Sequence, residues 1–388
     1  MNEGSYIFSQ VIKFLDFHKF LEIVSKYDGD KNSRFFSCWN QMLVMMFGQL
    51  AGSDSLRDLT SVIRAHEKKS YHLGFGKSVK RSNLAKVNEK RNCKIFEDFA
   101  TLMIARAKSL VMAKDFPVAG KIYAFDSTTI DLCMSVFWWA KYKTTKGGIK
   151  VHTLFDTQTL IPEFINITEV FVNDVKMMDA IEYQPKAYYI FDRAYIDFER
   201  FYAIEMRGAF FVTRAKKNIS NDVVKYVNEI NLKEGILKHE IIELAETTSR
   251  KHYPKQLRKI LYKDLETKKY FEFLTHNFEI KSTEVALLYK QRWSIELFFK
   301  WIKQHLKVKS FWGQTENAVR IQIYYAVITY CLVLIMREKL KIELSSYEIL
   351  RILSPSLLDK TPIIQLLSQN NASDNSTLES QQLYLQGL

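Results

Sequence analysis

The sequence predicts a helical N-terminal region followed by an α/β domain. Three observations carry this. Residues 1 to about 115 hold helix caps and amphipathic runs. Pro117 and Gly120 then interrupt that pattern. After them, short apolar strands alternate with helical stretches.

In the helical region, Ser37 is placed to cap a helix through WNQMLVMMFGQL. Ser53 is placed to cap the next, DSLRDLTSVIRAH. Gly74 and Gly76 break the pattern. The basic stretch KSVKRSNLAKVNEKRNCK follows, with seven Lys/Arg and one acid, Glu89, between Lys77 and Lys94. An amphipathic helix then runs from about Phe96 to Met112. Lys77, Lys80, Arg81, Asn83, Lys86 and Lys90 are candidate contacts to DNA phosphates, with Ser82 or Asn83 near a helix start. A solvated basic face is the competing account.

Beyond Gly120, KIYAFDST predicts a strand ending in Asp126. IKVHTLFD and PEFINITEV are two further strands, separated by the turn-like DTQT. VNDVKMMDAIEY predicts a helix. AYYIF is an apolar strand ending in Asp192. The helix IDFERFYAIEMRG leads to the strand AFFVTR. Residues 215–283 break this rhythm with KHEIIELA and a hairpin, QLRKILYKDLETKKYFEFLTHN, turning at Asp264 to Thr267. They are expected to form a β-rich insertion. Helix returns at about Thr283 and continues past Lys303. Residues 369–388, rich in Asn, Ser and Gln, predict a polar tail. The expected organisation is therefore 1–115, 118–214, 215–283, 284–368 and 369–388.

The 388 residues imply more than one core. A net charge of +13 favours polyanionic partners: DNA, RNA or an anionic membrane surface. Cys38, Cys93, Cys133 and Cys331 lack zinc-site or redox spacing, which fits buried thiols in a reducing cytosol. The opening MNEGSYIFSQVIKFLDF has no basic head followed by a clean apolar run, so no signal peptide is expected. Ile321 to Met336 imitates a membrane span. It is shorter than the ~20 apolar residues a span needs and includes Gln322 and Thr329. A buried core helix is expected instead, and no membrane partner.

The chemistry concentrates in YKQRWSIELFFKWIK. Read as one helix, Tyr289, Arg292, Glu296 and Lys303 fall within an arc of about 60°. The rest of the segment is apolar, which predicts burial. Buried charges are costly unless they pair or meet a ligand. A surface network, with Arg292 and Glu296 at i,i+4, is the alternative. Asp126 and Asp192 sit where strands end, so rigid backbone would present each carboxylate. Three carboxylates gathered together repel, and Mg²⁺ would relieve that repulsion.

These residues resemble the bacterial insertion-sequence DDE transposases that carry a Tyr-Arg-Glu-Lys signature. Tyr289-x₂-Arg292-x₃-Glu296-x₆-Lys303 matches the signature, and DSTTIDL and FDRAYID match the first and second aspartate regions. KGGIKVHTLFD is similar to the linking segment between them. The resemblance covers about residues 118–315. CWNQMLVMMFGQL and GFGKSVKRSNLAK are similar to the N-terminal region of one branch of the family. The resemblance implies a ribonuclease H-like catalytic domain with a β-rich insertion, preceded by a helical DNA-binding domain. It implies catalysis and metal binding by Asp126, Asp192 and Glu296, and Mg²⁺ as cofactor with Mn²⁺ able to substitute. It implies DNA-phosphate contacts from Tyr289, Arg292 and Lys303. The expected partners are the double-stranded DNA of transposon ends and target, with a homodimer in the DNA complex, working at the bacterial nucleoid in the cytoplasm. A nuclease that cuts without rejoining, or a catalytically silent DNA-binding regulator, would carry many of the same residues.

Overall fold

The computed structural model describes residues 4–31, 33–76, 79–132, 137, 139, 141–143, 146–305 and 311–368. Lys77, Cys133 and the tail 369–388 lie outside them. The chain divides into two compact units. The first comprises Met1–Met112, Ile130–Ile149 and Phe299–Leu378. The second contains Ala113–Thr129 and Lys150–Phe298.

The first unit is helical apart from short strand segments. Ser37 caps the helix Cys38–Leu50 as the sequence predicts. Asn40 N donates to Ser37 Oγ at 3.2 Å, and Ser37 N to Asn40 Oδ1 at 3.0 Å, so two helix-end donors are satisfied reciprocally. The next cap is Ser55, not Ser53. Asp58 N donates to Ser55 Oγ at 3.1 Å and the helix runs Leu56–Ala65. Ser53 is buried, its amide donating to the Gly48 carbonyl to close the preceding helix. The basic helix is Arg81–Lys90, and the following one spans Lys94–Lys108 rather than extending to Met112. Arg91, at the end of the basic helix, is buried. It donates to the Ser37 carbonyl at 2.9 Å and to Gln41 Oε1 at 2.8 Å.

The centre of this unit is the helix Glu316–Leu340, which packs against Cys38–Leu50, Arg81–Lys90 and Lys94–Lys108. Every residue from Ile321 to Met336 is buried. By length and composition this helix could cross a membrane, yet 94% of its apolar window is covered by protein. Its polar Gln322 accepts from Trp312 N at 2.8 Å. The sixteen-residue apolar run is therefore a core helix here, as expected.

The second unit is built on a mixed sheet. The parallel core is β1 (Ile122–Leu132), β5 (Tyr188–Phe191) and β6 (Phe210–Arg214). β2 (Lys141–Lys143) pairs with the first residues of β3 (Lys146–Asp156), inside the first unit. β3 lies beside β1, and β4 (Ile161–Glu169) pairs with β3. On the other side β10 (Tyr270–Thr275) pairs antiparallel with β6, followed by β9 (Leu257–Lys263), β8 (Ile236–Leu244) and β7 (Asn221–Tyr226). Residues 215–283 are thus strand-rich, and their strands continue the same sheet. The β9–β10 turn is where the sequence puts it: Asp264 Oδ1 accepts from Glu266 N, Thr267 N and the Thr267 hydroxyl.

Two sequence expectations need correcting here. VNDVKMMDAIEY does not form an α-helix but a 3₁₀ turn, Asp174–Ala180, capped by Asn173. And β1 does not end at Asp126; it continues to Leu132. What ends there is its pairing with β5, whose last rung is Phe125↔Phe191.

Alternation sorts the central strands into two faces. Tyr123, Phe125, Tyr189, Phe191 and Phe211 face one apolar core, where Phe201 from the helix Phe198–Met206 stacks on Phe211 at 4.2 Å. Ile122, Tyr188, Ile190 and Val212 face the other, covered by Val285, Ala286, Leu288 and Tyr289 of the helix Ser282–Lys290. Each large side chain so buried contributes on the order of 1.5–3 kcal/mol. Gly120 opens β1 at φ +120°. A Cβ there would meet the Lys186 carbonyl at 2.6 Å, so only glycine allows this approach to the chain entering β5.

Candidate active site

The period of two places Asp126 and Asp192 on the same face. They follow Phe125 and Phe191, so each stands one position beyond the last β1–β5 rung, on the side covered by Ser282–Lys290. Both carboxylates are held alike. Ser127 N donates to Asp126 Oδ1 at 2.8 Å, and Arg193 N donates to Asp192 Oδ1 at 2.6 Å. Each acid thus spends one oxygen on the next amide.

The segment bearing the other predicted residues is not one continuous helix. Ser282–Lys290 ends at Gln291, and a new helix, Trp293–His305, begins after Arg292. Gln291, Arg292, Ser294 and Ile295 all donate to carbonyls three residues back, so the chain tightens at the joint. Tyr289 therefore ends one helix, Arg292 sits in the joint, and Glu296 lies in the first turn of the next. The single 60° arc is replaced by this broken geometry, which aims Arg292 back toward the sheet. Lys303 follows seven residues after Glu296 on the second helix and is half-buried.

Arg292 bridges two of the acids. Its Nη1 donates to Asp126 Oδ2 at 3.4 Å, and its Nη2 pairs with Glu296 Oε1 at 2.5 Å. Its guanidinium also lies 5.7 Å from the centre of the Tyr289 ring. The Tyr289 hydroxyl is buried and, among the described residues, has no hydrogen-bond partner. Burial raises the Asp126 pKa to about 6. The Ser127 amide and Arg292 oppose that rise, while the charges of Asp192 and Glu296 add to it. The fold therefore brings Asp126, Asp192, Glu296, Arg292 and Tyr289 into one electrostatic group.

The donors are carboxylate oxygens, the hard ligands that Mg²⁺ and Mn²⁺ prefer. Among the described residues no three His, Cys, Asp or Glu side chains are gathered tightly enough for a single ion. Arg292 balances the charge between Asp126 and Glu296 instead. The donor chemistry, carboxylate oxygens, is of the kind a divalent cation takes.

Beside Asp192 lies an open cleft of about 530 Å³, lined by Asp192, Arg193, Ala194, Lys216, Lys217 and Asn218. Sequence reasoning missed Lys216 and Lys217. The signal was the cationic run RAKKN directly after a strand that neighbours β5. It also missed the polar residues behind Asp126, chief among them Asp174 and Lys150. The N-terminal candidates Lys80, Arg81, Asn83, Lys86 and Lys90 are all exposed, while Leu84 and Asn88 of the same helix are buried. Lys80 supplies no side-chain cap, and Ser82 and Asn83 fall inside the first turn.

Comparison with known proteins places the chain among relatives. Residues 3–76 match a domain family of unknown function. A transposase of Sinorhizobium fredii, y4zB, is 38% identical over 213 residues, 53% of this chain and 58% of that protein. A transposase named for insertion sequence element IS5377 of Geobacillus stearothermophilus is 28% identical over 208 residues, 53% of this chain and 54% of that one. A transposase named for insertion sequence element IS4SA of Synechocystis is 26% identical over 259 residues, 66% and 71% of the two chains. The matches to the first two thus span little more than half of those proteins. The transposase DDE domain family matches residues 119–332, more than half of the chain and all of Asp126, Asp192, Tyr289, Arg292, Glu296 and Lys303. The chain belongs to the DDE transposase domain family.

Proposed function

We propose that this chain is the transposase of an insertion sequence, which binds the element's terminal inverted repeats and catalyses metal-dependent DNA strand cleavage and strand transfer. The observation that carries this is that Asp126 and Asp192 each stand one position past the last β1–β5 rung, Phe125↔Phe191, with Glu296 joined to Asp126 through Arg292. In this reading the second unit is a ribonuclease H-like core whose sheet is extended by the insertion strands.

Asp126, Asp192 and Glu296 would hold Mg²⁺, with Mn²⁺ able to substitute. Bound there, the metal supplies charge stabilisation for the attacking and leaving oxygens of the phosphodiester. The chain's own groups supply position. Arg292, which lies against two of the acids, has a planar fork that would suit a phosphate beside them. The Tyr289 hydroxyl, buried beside Arg292 and completing no hydrogen bond among the described residues, would suit a phosphate oxygen. Lys303 adds a charge farther along the helix. Arg193, Lys216 and Lys217 line the cleft at Asp192, where a polyanion is favoured. The exposed face of Arg81–Lys90 supplies further phosphate contacts. Two copies of the chain, one at each DNA end, would make the working complex at the nucleoid.

The test uses duplexes carrying the DNA that flanks this reading frame. Wild-type protein with Mg²⁺ should nick them at the repeat boundary and join a pre-cut end to target DNA. Cleavage without joining would point to a nuclease. Specific binding without either would leave only a regulator.

A further inference from the structure

A second polar cluster lies behind Asp126, centred on Asp174 at the start of its 3₁₀ turn. Ser127 Oγ donates to Asp174 Oδ1 at 2.8 Å, and Lys150 Nζ donates to Asp174 Oδ2 at 2.9 Å. Lys150 Nζ also donates to the Val172 carbonyl at 3.0 Å. His152, fully buried, has Nδ1 3.5 Å from Asp174 Oδ1 and Nε2 2.8 Å from Thr168 Oγ1 on β4. The Tyr195 hydroxyl, buried in the turn after Asp192, lies near Ser127 without completing a hydrogen bond. Strands β1 and β3 and the 3₁₀ turn meet at one carboxylate.

That arrangement bears on Asp126 through two short links. Asp174 fixes the Ser127 side chain, and the Ser127 amide fixes the Asp126 carboxylate. The β1–β5 rungs end at Phe125, so residues 126 and 127 keep β3 on one side and have no β5 rung on the other. A merely structural role explains the cluster less well. Lys150 keeps 14% and Asp174 32% of its side chain exposed, and a partly solvated ion pair adds little to stability. Ser127, moreover, needs no carboxylate acceptor unless its orientation matters.

We infer that Asp174 is a positioning residue for the Asp126 carboxylate, acting through Ser127. This rests on the reading of Asp126 as a metal-holding group. Outer partners of metal-holding side chains typically alter affinity about 10–100-fold when removed.

The test is a Mn²⁺ titration of the full chain, followed by the electron paramagnetic resonance signal of the free ion. Thermal melting and amide exchange of the β1 segment accompany it. Ser127→Ala and Asp174→Ala should each weaken Mn²⁺ binding about 10–100-fold. Ser127→Thr, which keeps the hydroxyl, should bind like wild type. The double Ala variant should be no weaker than the weaker single. Should Asp174→Ala fail to fold, Ser127→Ala carries the test, since it leaves the Lys150 pair intact. Wild-type affinity in Ser127→Ala would overturn the inference. If wild type itself binds no Mn²⁺, the metal reading is what fails. Amide exchange at Ser127 then decides the positioning: faster exchange in Ser127→Ala supports it, and unchanged exchange refutes it.

Discussion

Replacing Asp126 with Asn is expected to abolish strand cleavage while making the metal-free protein more stable. Burial lifts the Asp126 pKa from its ordinary 3.8 to about 6. The folded state therefore holds this proton more tightly than the unfolded chain. The favourable contribution is fully present below about pH 4 and is lost as pH rises through about 6. A shift of this size corresponds to about 3 kcal/mol, an upper figure because Asp126 keeps 21% of its side chain exposed. Asn imitates the protonated acid at every pH. At pH 7.5 without Mg²⁺, Asp126→Asn should melt above wild type, by roughly 2–4 °C per kcal/mol. The gap should close as the pH is lowered from 6 to 4. Added Mg²⁺ should raise the wild-type melting temperature and leave the variant unchanged, because only the wild type gains a bound state. Melting curves across pH 4–7.5, with and without Mg²⁺, measure all of this. Equal melting temperatures at pH 7.5 without metal would refute the reasoning, as would a gap that persists at pH 4.

Other expectations follow from the same geometry. Asp192→Asn should lose cleavage while retaining DNA binding; cleavage at the wild-type rate would remove Asp192 from the site. Arg292→Ala leaves Asp126 and Glu296 without their shared counter-charge. The metal-free fold should weaken by up to about 3–5 kcal/mol, with Mg²⁺ restoring much of the loss, and cleavage should remain poor in the folded protein. Normal specific activity in the folded fraction would instead make Arg292 a structural ion-pair partner only. Removing charge at Lys80, Arg81 and Lys86 should lower the slope of log affinity against log salt by about one per lost phosphate contact, and an unchanged slope would return that helix face to solvent. Ser55→Ala should cost about 1 kcal/mol by losing the Asp58 amide contact, whereas that cap contact is absent from Ser53.

Several parts of this architecture are legible along the chain because their causes are local. Ser37 caps its helix through a residue three positions away. The Asp264 turn closes on its own next few amides. The apolar run from Ile321 to Met336 has too many buried faces to be anything but a core or a span. Residue type and the neighbouring apolar pattern single out Asp126 and Asp192 after apolar runs and Glu296 on an apolar helix. Where expectation slipped, a local competitor had won. Ser55 took the cap because the Ser53 amide was already closing the previous helix. The chain tightened at Gln291 and Arg292, and that joint broke an arc calculated for an unbroken helix.

Periodicity states which face a side chain takes, and so the sequence by itself determined that Asp126 and Asp192 follow apolar runs and that Glu296 lies on an apolar helix, which the fold buries along one side only: Ile295, Phe298, Phe299 and Ile302 are buried while Trp293 is exposed. It does not state which strand lies alongside. Only the tertiary structure decided that β1 and β5 pair in parallel with Phe125 opposite Phe191, which sets two distant aspartates one step past the same rung. Only it brought Arg292 to Asp126 across 166 residues, and Asp174 to Ser127 across 47. Such contacts depend on closing long loops and on packing two faces of one sheet. Their free energy belongs to the assembled core, and no window of the sequence contains it.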